Sequence, residues 1–72
     1  MFKIGMPICI LNNDGEPDYG TIIFIEKDND IPELEWLYIK SDVDSMNKEI
    51  DPKIKGYFWR VIESTSDRII VL

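Results

Sequence analysis

The chain has no histidine and one cysteine, Cys9. Without imidazole it lacks the side chain most often used as a general base near neutral pH. One cysteine excludes an intramolecular disulfide, and no set of thiols and imidazoles exists to hold zinc. Chemistry would fall to carboxylates, Lys, Tyr and Ser. Hydrolysis by paired carboxylates needs two acids across a pocket, one with its pKa raised by burial. The nearest such pair, Glu33 and Glu35, lies in a polar stretch beside Pro32. These residues point to a protein that is not an enzyme and carries no cofactor.

Long apolar runs are also missing. The longest spans four or five residues, against the roughly 20 needed to cross a bilayer as a helix. Met1-Phe2-Lys3-Ile4-Gly5 does not open an extended apolar region ending in a small-residue cleavage site, so the expectation is a cytoplasmic protein without a membrane partner. Ala and Gln are absent while Ile occurs thirteen times, a bias that fits an AT-rich genome such as that of a low-GC bacterium or its phage.

Two acidic clusters, Asp28-Asn29-Asp30 and Asp42-Val43-Asp44, offer oxygen ligands. A calcium loop of the EF-hand kind wants a ligand at its fifth position, glycine at its sixth and glutamate at its twelfth. Counted from Asp42 these are Met46, Asn47 and Lys53, and from Asp28 the fifth is Pro32. The expectation is no metal site.

What is present is a single short domain with a lopsided charge. Seventy-two residues make one core, and a chain of this size buries only about 60 to 65 % of its unfolded surface, leaving roughly 3–5 kcal/mol of stability. A protein partner or a second copy would reinforce it. Residues 14–51 carry twelve acids against three lysines, a net of −9, and the remainder a net of +3, for −6 in all. An acidic middle repels phosphate backbones, so direct nucleic-acid binding would be confined to Lys53, Lys55, Arg60 and Arg68.

Apolar runs recur between turn signals at the spacing of a small meander or barrel: Phe2 to Leu11, Gly20 to Lys27, Leu34 to Lys40, Tyr57 to Glu63 and Arg68 to Leu72. Asn12-Asn13-Asp14-Gly15, Asp28-Asn29-Asp30-Ile31-Pro32 and Ser64-Thr65-Ser66-Asp67 supply turns. Five antiparallel strands are predicted. Over residues 42–50, Val43, Met46 and Ile50 repeat at helical spacing and Pro52 stops the run, giving either a helix of about two turns or an ordered loop. Cys9, in the apolar run KIGMPICIL, is expected to be buried as a small hydrophobe.

Strict alternation along each strand puts Leu34, Trp36 and Tyr38 opposite Leu37 and Ile39. It likewise puts Ile22 and Phe24 opposite Ile23 and Ile25, and Tyr57, Trp59 and Val61 opposite Phe58 and Ile62. Both faces are then apolar, where a sheet with one wet face would alternate with polar residues. Such strands must curl into a barrel, carry the helix, or present a patch to a partner.

Residues 3–25, KIGMPICILNNDGEPDYGTIIFI, resemble the opening of SH3-like small β-barrels, particularly the KOW type, with Gly5, Ile8, Ile10, Gly15, Gly20, Ile22 and Ile25 in matching places. The resemblance implies a five-stranded antiparallel SH3-like small barrel or curled sheet. KOW domains meet RNA or RNA polymerase, but the loop here carries Glu16 and Asp18 where that type is basic. Other SH3-like barrels bind peptides through aromatic grooves.

These features lead to a non-enzymatic protein-interaction module, a small adaptor or inhibitor, with an apolar and aromatic sheet face rimmed by acids. Its candidate contacts are Trp36, Tyr38 and Trp59 with Glu26, Asp28, Asp30, Glu33 and Glu35. An alternative is an acidic mimic of nucleic acid, because in an extended segment Glu26, Asp28 and Asp30 would stand on one side like a row of phosphates. KOW-like contact with RNA or RNA polymerase is a third reading.

Overall fold

A computed structural model describes residues 1–72. Seven strands follow in order: β1 Pro7–Leu11, β2 Pro17–Lys27, β3 Glu35–Ser41, β4 Glu49–Ile50, β5 Tyr57–Phe58, β6 Arg60–Glu63 and β7 Ile69–Val71. Five form one antiparallel sheet in the order β6-β3-β2-β1-β7, while β4 and β5 pair with each other. The chain is mainly β, with a five-stranded antiparallel sheet, as the apolar runs predict.

Local chemistry sets the turns. The Asn12 side-chain oxygen accepts from the backbone N–H groups of Asp14 and Glu16 at 2.9 and 3.0 Å, and Gly15 takes the positive φ of 78° that closes the β1–β2 hairpin. The first strand starts later than its apolar run, at Pro7. Ahead of it Met6 N–H donates to Lys3 O, and Gly5 N–H crosses to Ile22 O at 2.7 Å, so the leading residues hook over β2 and bring Phe2 and Met6 against the core.

That core is Ile8, Ile10, Ile22, Leu37, Ile39 and Ile62, with Ile25, Trp59 and Ile69 packed on it. Each fully buried side chain of this kind contributes about 1.5–3 kcal/mol. β2 makes the sheet curl. Its N-terminal half, Pro17–Thr21, pairs with β1, and Gly20–Lys27 pairs with β3. Where the two pairings overlap, Gly20 lets the strands close in: a Cβ there would lie 2.6 Å from the Lys40 carbonyl oxygen.

Two irregularities overturn the strict alternation of faces. The β2–β3 register slips between Ile22 and Phe24, leaving Ile23 as an extra residue. Ile22 and Ile25 therefore share the core side, across from Ile39 and Leu37, and Phe24 lies outside across from Tyr38. The run Tyr57 to Glu63 breaks at Trp59, whose N–H donates to Ile39 O at 2.8 Å although Arg60 is the residue paired with Ile39. Two residues thus oppose one, as in a β-bulge. Trp59 and Ile62 consequently share the core side, while Val61 stands opposite Tyr38 on the outer side.

Of the helix or loop expected over 42–50, only one 3-10 turn forms, Asp44–Met46, followed by β4. The Asn47 side chain stops it. Its amide donates to Ser41 O at 2.9 Å, and its oxygen accepts from Ser41 N–H at 2.7 Å, closing the loop against the end of β3. β4 and β5 then bring Phe58 over the outer side of β3.

Candidate interaction surfaces

The outer side of β2 and β3 collects four of the eight residues singled out from the sequence: Glu26, Asp28, Trp36 and Tyr38. Tyr38 is wedged edge-to-face between Phe24 and Phe58, with ring centroids 5.4 and 5.3 Å away, and is only 5 % exposed. Its hydroxyl donates to Glu26 Oε1 at 3.3 Å, and the Lys53 ammonium bonds Glu26 Oε2 at 2.7 Å. Burial first, and then the negative charges of Glu26 and Asp51, push the Tyr38 hydroxyl above its ordinary pKa against the opposing Lys53 charge. The hydrogen bond to Glu26 and its charge raise Lys53 likewise. This cluster ties the 51–55 segment over the sheet. It leaves Tyr38 no free contact surface.

Asp28 organises the turn after β2. One carboxylate oxygen accepts from the N–H groups of Asp30 and Ile31 at 2.9 and 2.8 Å, and the other from Trp36 Nε1 at 3.0 Å. These bonds favour the ionised form, the indole bond most, and hold the carboxyl below its ordinary pKa. The supposed phosphate-like row is broken by the same geometry. β2 ends at Lys27, Glu26 is engaged by Lys53, and Asp28 turns inward to its own loop.

The other four residues do not join this group. Asp30 and Glu33 are exposed in the turn. Glu35 is tied through its backbone to Ser64, whose hydroxyl accepts at 3.0 Å and whose N–H donates at 2.8 Å. Trp59 packs against the core with Arg60 over its ring at 5.3 Å. The basic residues also separate, because Lys53 is held by Glu26 while Arg60 and Arg68 line a groove beside β6.

Two surfaces were not singled out from the sequence. Across the outer side of β7, β1 and β2, register places Ile70, Cys9 and Tyr19 in one row, and Asp42 N–H extends it by donating to Tyr19 O. Cys9 is 3 % exposed, whereas Ile70 and Tyr19 are 44 % and 48 % exposed. The legible signal was that Cys9 lies between Ile8 and Ile10, so one of these sets had to face away from the core. The second surface is the groove beside β6, at which both arginines of the chain converge.

Comparison with protein-family models, curated proteins and solved structures finds no match to this chain. Function is therefore read from its surfaces. No three His, Cys, Asp or Glu side chains gather to hold a metal ion, and no helix is long and apolar enough to cross a membrane.

Proposed function

We propose that this chain is a non-enzymatic protein-interaction module that meets a protein partner through the outer side of β7, β1 and β2. The observation that carries the reading is the row of Ile70, Cys9 and Tyr19, whose two large side chains stay nearly half exposed on regular strands, whereas Tyr38, further along the outer side of the sheet on β3, is covered by Phe24 and Phe58. Uncovered apolar side chains in neighbouring positions are what a contact surface requires, and a tyrosine beside an aliphatic residue is a common anchor. Asp42 at the end of the row supplies an acidic rim.

The test is affinity capture from the source cell, quantified by mass spectrometry, with the wild-type chain, a Tyr19→Ser/Ile70→Ser variant and a Lys27→Ser control. A partner retained by the control and lost by the double variant supports the surface; losing such an anchor typically costs about 2 kcal/mol or more of binding. Sedimentation of the same proteins reads self-association. The reading fails if the wild type is monomeric and captures the same proteins as the double variant. Raising salt separates this from acidic mimicry, since an apolar contact persists while a charge-driven one weakens steeply.

A further inference from the structure

We propose that the free edge of β6 takes up an extended segment of a partner protein by strand addition, and that Arg60 and Arg68 select segments bearing carboxylates on the side that faces them. This rests on the reading of the chain as a protein-interaction module but uses a surface distinct from Tyr19 and Ile70.

The edge is open on one side. β6 pairs only with β3, and Ser64 N–H donates to Glu35 O. Hydrogen-bonding direction alternates along an antiparallel strand, so Arg60, Ile62 and Ser64 turn their N–H groups toward β3, while Val61 and Glu63 turn theirs away. Glu63 O is taken by Ser66 N–H at 3.0 Å. An added strand therefore finds Val61 N–H, Val61 C=O and Glu63 N–H unpaired, with Val61 able to exchange both bonds with one residue.

Charge selects the occupant. The only ion pair of the protein is Lys53 with Glu26, so neither arginine meets a carboxylate in a chain that has fourteen. Arg68 is oriented by neutral acceptors, Asn13 Oδ1 at 2.9 Å and Leu11 O at 3.5 Å, and Arg60 lies over Trp59. Two guanidinium groups that form no ion pair, although Glu63 and Asp67 line the same groove, stand beside an open strand edge with donors free for carboxylates brought from outside. The groove's own acids limit the pattern. Glu63 stands across from Trp36 on the outer side, and Arg60 stands across from Ile39 on the other; Asp67 lies on the turn toward β7. An added strand would thus carry acids at alternate positions toward the arginines and uncharged residues at the positions beside Val61 and Glu63. Elsewhere, the net −9 of residues 14–51 repels such a segment.

The experiment titrates the intact chain with a capped heptapeptide alternating valine with glutamate, followed by amide and arginine side-chain NMR shifts. Saturable shifts at Val61, Glu63, Arg60 and Arg68 are expected. Arg60→Gln and Arg68→Gln, each checked for an otherwise unchanged spectrum, should each weaken binding by about tenfold, the loss of a charge-assisted contact. N-methylation of the peptide's valines, whose N–H groups face β6, should abolish binding, whereas N-methylation of its glutamates, whose N–H groups face away, should preserve it. Tyr19→Ser should bind the peptide as the wild type does, which separates failure of the outer-row reading from failure of this one. The proposal is overturned if a valine–lysine peptide binds equally well, if methylated valines make no difference, if no saturable shift appears at the edge, or if a single-stranded oligoribonucleotide binds the arginines more tightly than the peptide.

Discussion

Replacing Gly20 by alanine tests the tightest point of the fold. The backbone φ of Gly20 is not among the positive values, which belong to Gly5, Gly15 and Gly56, so alanine can adopt the local conformation, and its stiffer unfolded chain would by itself stabilise by about 0.4–1 kcal/mol. Sterics oppose this. The new Cβ would lie 2.6 Å from the Lys40 carbonyl oxygen and 2.7 Å from Ile39 Cγ2. The first contact is with backbone, and it can open only if β2 and β3 move apart where Gly20 pairs with Ser41 and Thr21 with Lys40. Overpacking of this kind costs roughly 1–3 kcal/mol, so a net loss of about 1–2 kcal/mol is expected, lowering Tm by about 4–8 °C per kcal/mol in a domain of this size. Gly15→Ala is the control: no atom lies within 4 Å of its added Cβ, and its cost of roughly 1–2 kcal/mol comes from the positive φ alone. Thermal and urea unfolding followed by circular dichroism measure both. A Gly20→Ala protein as stable as the wild type would refute the close approach as the reason for glycine at this position.

The lowered pKa of Asp28 means that its stabilisation is fully present above the ordinary aspartate pKa of about 3.9 and is lost as pH falls through the lower folded value. Trp36 fluorescence should report that loss on acidification, and Asp28→Asn should remove this pH dependence. The raised Tyr38 pKa has the opposite consequence: its contribution is intact below about pH 10 and lost as pH rises through the folded value, so alkaline unfolding should be delayed in Tyr38→Phe. Cys9, buried between strands, should react with a thiol reagent slowly in the native protein and rapidly in urea; equal rates would contradict its placement.

Turn chemistry and strand composition were legible because both act over a few residues. Asn12 to Gly15 makes its turn with its own side chain and glycine, and Thr21 to Ile25 is β-branched and aromatic in its own right, so the strands and their order of appearance could be read directly. The destination of each side chain could not. One extra residue at Ile23 and another at Trp59 each shift the period of two, and nothing local distinguishes a strand with such an insertion from one without it. Trp59, expected among the contact residues, therefore meets the core, and Tyr38 is covered by Phe58 from a segment twenty residues further along the chain.

The candidate surfaces divide in the same way. Sequence by itself determined a small, mainly β, acidic chain without imidazole or a second thiol, because composition fixes which chemical groups exist. The convergence of Arg60 and Arg68 on one groove, the row formed by Ile70, Cys9 and Tyr19, and the inward turn of Asp28 toward Trp36 were decided only by the tertiary structure. Each depends on cross-strand register or loop closure between residues distant in the chain, and these follow from how the whole sheet packs around its core.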